Sequence, residues 1–240
     1  MKVLKGQIIF DKTLEAQNRR MIIDLAGKLP KTGRCSLLVS GGDTPQSFYN
    51  ALSQQNWPWE KITTALVDDR WVDPNNLASN ENLVKRNLLI NHAKKSPFFG
   101  MKSSSSSPLL AEVSRNRIYQ TLPRPLFAIL GMGVDGHIAS WFAEDERFNT
   151  LSAYLKNNLI ASTSLKRKGL ADPYRHRMTI TGAMLSEVNS AFLIIHGERK
   201  YNLLTKAICN GALDLPINRG LELLGPKLRI YALDWKNGDI

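Results

Sequence analysis

The stretch Cys35-Ser36-Leu37-Leu38-Val39-Ser40-Gly41-Gly42-Asp43-Thr44-Pro45 decides the fold class. Its first five residues form a short apolar run of the length and composition of a buried strand. Ser40-Gly41-Gly42 ends that run, since two glycines let the chain turn where a side chain would be strained. Pro45 then opens a helix through Ala51 and Leu52, with Asp43 or Thr44 as its N-cap. Upstream, Leu14, Met21, Ile22, Leu25 and Leu29 recur near a 3.6 spacing and predict a helix over 13–29. Downstream the alternation continues: a strand at 62–67, a helix at 79–90 capped by Ser79, a strand at 126–130 and a helix from His137 to Phe142. Weaker strands follow at 158–162 and 178–181, then strands at 191–195 and 229–233 with a helix at 198–209 after the first. Short apolar strands separated by amphipathic helices predict an α/β fold with a largely parallel sheet. No repeat or boundary divides the chain, so residues 1–240 are expected to be one domain, with Ser103–Ser107 a surface loop.

With 240 residues, 43% of them hydrophobic and 22% charged, the chain can bury a core without staples, which excludes a disordered protein. No apolar run approaches the roughly 18 residues of a membrane span. The stretch Val3–Phe10 is too short for a secretion signal and runs into Asp11 and Lys12, so a cytoplasmic protein without membrane contact is expected. Neither Cys35 nor Cys209 has a Cys or His at ligand spacing, which argues against zinc and disulfides. Lys and Arg total 32 against 21 acidic residues, a net charge of +11. Such a balance suits nucleic acid, an anionic membrane or a small anionic substrate. The basic residues, densest at Lys166–Lys168 and Arg175–Arg177, are not interleaved with aromatics as in an RNA-binding sheet, so no nucleic-acid partner is expected.

Three segments following strands carry chemistry, because open α/β sheets bind ligands at the carboxyl ends of their strands. Gly41 and Gly42 expose backbone N–H groups ahead of a helix, an anion site. In Asp68-Asp69-Arg70 the guanidinium is a planar fork for phosphate or carboxylate, and the adjacent acids are expected to hold it. Gly131-Met132-Gly133-Val134-Asp135-Gly136-His137 matches G-x-G-x-x-G literally. Asp135 would face a pyrophosphate there, and no acid follows about 20 residues on, so a dinucleotide is not expected. His137 at the positive end of a helix would be disfavoured as a cation and free to act as a base. Asp135 would orient that histidine or meet substrate hydroxyls. There is no G-x-S-x-G elbow and no H-E-x-x-H spacing.

Together these segments resemble the 6-phosphogluconolactonase family. Its pattern S-G-G-S-T-P is met by Ser40–Pro45, D-E-R with a later S-N by Asp68–Arg70 and Ser79-Asn80, and G-M-G-x-D-G-H-T-A-S-L-F-P by the segment from Gly131 through Phe142. R-x-T and G-x-x-K are met by Arg177-Met178-Thr179 and Gly197–Lys200. The resemblance implies a Rossmann-like three-layer α/β/α sandwich and hydrolysis of 6-phosphogluconolactone, with no cofactor and no obligatory metal. It implies acid/base catalysis by His137 and phosphate binding by Arg70 and Lys200. The residue reading adds Gly41, Gly42 and Arg177 around the phosphate, and backbone N–H groups around Gly133 for the oxyanion. The expected partner is a small anionic sugar-phosphate lactone, and the expected state a monomer or weak homo-oligomer. Departures from the pattern are Asp43 for Ser, Asp69 for Glu, and Ile138, Trp141 and Ala143 for Thr, Leu and Pro. Asp43 would cap its helix or face the phosphate, and Trp141 would shape the pocket wall. The sister glucosamine-6-phosphate deaminases carry a carboxylate five residues after the histidine, where this chain has Phe142. A non-catalytic phosphosugar-binding protein is the remaining alternative.

Overall fold

The computed structural model describes residues 8–149, 158–165, 173–210 and 215–233. Its frame is a seven-stranded parallel sheet flanked by helices, a Rossmann-like α/β/α arrangement. The strands are β1 (Ile8–Asp11), β2 (Cys35–Val39), β3 (Ile62–Leu66), β5 (Phe98–Phe99), β6 (Leu126–Gly131), β9 (Ser190–Ile195) and β10 (Leu228–Leu233), in the order β1-β10-β9-β6-β2-β3-β5. Every residue of β2, β3 and β9 is buried, as expected of strands covered on both faces. Helices α1 (Leu14–Ala26), α2 (Gln46–Ser53) and α3 (Asn80–Asn87) pack in one row. Helices α5 (Gly182–Glu187) and α6 (Glu198–Asn210) both pack on α7 (Pro216–Leu224). Helix α4 (Pro108–Gln120) packs on β7 (Ile160–Ser164).

The order of the strands positions the site. From β2 the chain moves to β3 on one side, while β6 lies on the other side of β2 and leads to β9. The order in which strands are added therefore reverses between β2 and β6, leaving a crevice at their carboxyl ends. A second, antiparallel sheet overhangs it, ordered β4 (Asp68–Arg70), β8 (His176–Ile180) and β7. Strand β4 follows β3 directly, so one short segment ties the two sheets together. The weaker strands expected at 158–162 and 178–181 belong to this overhang rather than to the parallel sheet.

Three local expectations are corrected. Residues 137–142 are not helical: Gly136 and Ala139 take positive φ values of 84° and 49°, and Ile138 bridges back to Trp141. The apolar residues Ile138, Trp141 and Phe142 mimic a helix face, but they are buried by a tight turn fixed from outside, with Trp141 Nε1 donating to the Ile180 carbonyl at 2.8 Å. Trp141 is consequently core and not pocket wall, and His137 does not open a helix. At α2 the N-cap position is Pro45, without a side-chain cap, rather than Asp43 or Thr44. The Lys166–Lys168 segment lies outside the described residues. Among the described residues, no helix is long and apolar enough to cross a membrane.

Candidate active site

Between β2 and β6 lies a cleft of about 170 Å³. It is lined by Gly41, Gly42, Arg70, Gly133, His137, Arg177 and Lys200, so seven of the eight residues singled out from the sequence meet there. The eighth, Asp135, stands behind His137. A larger cavity of about 590 Å³ beside α4 is lined by none of them.

His137 and Asp135 form a dyad, with Nδ1 and Oδ1 2.6 Å apart. The same oxygen accepts the His137 backbone N–H at 3.2 Å, which closes the turn. Burial pushes the Asp135 carboxyl up, but the hydrogen bond and charge of His137 outweigh it and hold the group below the usual carboxylate range. A carboxylate only accepts, so Nδ1 carries a proton, and in the neutral imidazole the lone pair falls to Nε2. Gly133 makes room for this pair: a Cβ there would stand 2.2 Å from His137 Nδ1 and 2.5 Å from Asp135 Oδ1. Its own N–H donates to the His137 carbonyl at 2.9 Å. The Gly133 N–H therefore closes the turn, which leaves the expected oxyanion contact to the other backbone N–H groups around it.

The opposite wall is basic. Gly42 turns the chain at φ 88°, and Gly41 presses on Asn80, whose Oδ1 would stand 1.9 Å from a Cβ. Lys200 rises from α6 with Nζ 3.5 Å from Thr44 Oγ1. Burial lowers its pKa, while Asp43 opposes that shift. Asp43 itself is exposed and accepts from Gln46 Nε2 at 3.0 Å. Arg70 and Arg177 face each other across β4 and β8. Burial pulls the Arg177 guanidinium below its ordinary range, with Asp68 opposing and Arg70 adding to the effect. Two buried atoms of lining residues, Ser40 Oγ and Arg70 Nε, have no hydrogen-bond partner among the described residues. Such atoms are costly unless a ligand satisfies them.

The acids beside Arg70 do not hold it; Arg70 Nη1 donates instead to the Ala78 carbonyl at 2.6 Å. Asp69 turns inward and accepts from Ser79 Oγ, from the backbone N–H groups of Asn80 and Glu81 at the start of α3, and from that of Arg70. Asp68 accepts from Ser140 Oγ at 2.5 Å and from Asn80 Nδ2 at 3.2 Å, and its Oδ2 lies 4.0 Å from Arg177. It thus ties the segment after His137 to α3 and β8. Sequence reading gave Asp68, Asn80 and Ser140 no such place, because their partners lie up to 72 positions away. The signal available was the choice of three polar residues for buried positions.

The profile of the family described as glucosamine-6-phosphate isomerases/6-phosphogluconolactonase matches residues 11–222. A 6-phosphogluconolactonase of Xylella fastidiosa (strain 9a5c) is 34% identical over 212 residues, 86% of each chain. One from Rhizobium meliloti is 33% identical over 210 residues, covering 86% of this chain and 88% of its own. Among solved structures, a 6-phosphogluconolactonase from Shewanella baltica superposes with a TM-score of 0.85 at 26% identity, covering 95% of this chain and 97% of that one.

Proposed function

Because the chain belongs to the family of glucosamine-6-phosphate isomerases and 6-phosphogluconolactonases, we infer from its lactonase relatives that it is a lactone hydrolase of the pentose phosphate pathway. It converts 6-phospho-D-glucono-1,5-lactone and water to 6-phospho-D-gluconate. In our reading His137 Nε2 takes a proton from the water that attacks the lactone carbonyl. The imidazolium then returns that proton to the ring oxygen as the carbon–oxygen bond breaks. The new carboxylic acid ionises and releases one proton to solvent. Asp135 fixes the tautomer and offsets the imidazolium charge, as the acid does in a Ser-His-Asp triad. Arg70, Arg177 and Lys200, with the Gly41-Gly42 turn, hold the phosphate and orient the ring. Their positive charge favours the substrate anion.

The observation that carries this reading is the 2.6 Å contact between His137 and Asp135 at the edge of a cationic cleft. Its test is His137→Asn, which keeps a polar side chain but cannot shuttle a proton. We expect kcat to fall by at least about 10² with KM little changed, the contribution typical of general acid–base catalysis. Acid release must be followed above the spontaneous hydrolysis of freshly made lactone. A folded variant with near wild-type kcat would sink the mechanism.

A further inference from the structure

Phe142 is 1% exposed, yet among the described residues its ring stands apart from the main core, in a small cluster with Leu165. Its ring lies 4.5 Å from the His137 ring, centroid to centroid, with the planes tilted by 36°. The Arg177 guanidinium carbon lies 5.0 Å from the same centroid. One ring thus touches both the group read as the acid/base and a cation of the substrate wall. Other fully buried aromatics behave differently: Phe192 in β9 packs edge-on against Tyr231 at 5.3 Å, inside the main core.

We propose that Phe142 is a positioning residue that couples substrate anchoring to proton transfer, by giving the His137 imidazole and the Arg177 guanidinium a common wall. The inference rests on the roles proposed for His137 and Arg177. Asp135 fixes the imidazole through a single bond to Nδ1, about which the ring can still tilt. Phe142 removes that freedom, so Nε2 keeps one direction. Its π face also favours the imidazolium that forms during the reaction over the neutral ring. Among the described residues, the Arg177 side chain donates one hydrogen bond, from Nε to the Tyr174 carbonyl at 3.0 Å, and lies 4.0 Å from Asp68. The aromatic face sets how far its fork reaches into the cleft. A shift of either group relative to the other misaligns the lactone with its base.

The test is Phe142→Leu, with Phe192→Leu as a packing control and His137→Asn in parallel. A cation–aromatic contact that is desolvated supports an effect on the order of tenfold. We expect Phe142→Leu to lower kcat about tenfold and raise KM about threefold. Phe192→Leu should lower Tm while keeping kcat within twofold of wild type. If the Leu variant does not fold, Phe142→Met makes the same comparison with a longer side chain. The proposal is overturned if a folded Phe142 variant keeps kcat within twofold, or if Phe192→Leu loses as much kcat as Phe142→Leu. An inactive His137→Asn beside a fully active Phe142→Leu would remove this inference alone. A fully active His137→Asn would remove the base itself, whatever Phe142 does.

Discussion

Gly133 lacks a side chain because the dyad fills the space where one would stand. Its replacement by alanine adds one methyl group and no charge. The Cβ would have to displace either the imidazole or the Asp135 carboxylate, since both lie within 2.5 Å of it. Misplacing a reacting group by about 1 Å costs on the order of 10² in rate. Gly133→Ala should therefore reduce kcat by about that factor while the phosphate-binding residues, and with them KM, change little. Steady-state kinetics at saturating lactone checks it; a variant within threefold of wild type would mean that the dyad tolerates displacement. The same residue shows what the sequence concealed. A glycine-rich turn ahead of a histidine was legible, and so was the identity of the histidine. That the Gly133 N–H is spent on the His137 carbonyl was not, because donor and acceptor are assigned only once the turn has closed.

At the scale of elements, α3 is held at its start by a buried side chain from another strand. Asp69 accepts four hydrogen bonds there, three of them from backbone N–H groups. Asp69→Ala leaves these donors buried without a partner, each costing about 1–3 kcal/mol. We expect a loss of at least about 3 kcal/mol in urea unfolding, with KM raised as Asn80 and the Gly41 turn loosen. A loss under about 1 kcal/mol would show that Ser79, which also caps α3, suffices alone. The elements that sequence reading recovered are those whose pattern is local. Strand β2 was bounded at both ends by its apolar run and the Ser40-Gly41 turn, and α1, expected over 13–29 from its apolar spacing, spans Leu14–Ala26 behind Thr13, whose hydroxyl accepts from Ala16. Helix α4 went unread because Leu109, Leu110 and Val113 lie on its exposed side, which defeats an argument from periodicity. Residues 137–142 failed in the opposite sense. Their spacing suits a helix, and the tertiary contacts of Trp141 and Ser140 override it.

Across the whole molecule, pH acts through a half-buried histidine far from the dyad in sequence. Burial, with the charge of Lys200 adding, pushes His196 down to about 4. A folded value below the ordinary one of about 6.5 means that the unfolded chain binds the proton more tightly. The stabilisation is therefore complete above about pH 6.5 and is lost as pH falls toward 4. Asp69, raised to about 6 chiefly by burial, has the opposite sign: its contribution favours folding in acid and fades as pH rises through about 6. The two partly cancel, so the informative quantity is a difference. His196→Gln keeps a donor for Gln17 and should flatten the decline of Tm between pH 7 and pH 5 relative to wild type. Parallel curves would show that His196 is not the titrating group. The overhanging sheet carries a second consequence. Arg70 and Arg177 are direct cross-strand partners, a pairing of like charges that costs stability until an anion sits between them. Inorganic phosphate should accordingly raise Tm above an equal ionic strength of chloride, by about 2.7 kcal/mol of stabilisation at a hundredfold excess over its Kd. Arg70→Met should raise the phosphate-free Tm and abolish the response; an unchanged response would place the anion elsewhere. The lifetime of the protein in a living cell would then follow its own metabolite. When sugar phosphates run short, the unliganded population opens more often, and proteolysis removes the enzyme as its work disappears.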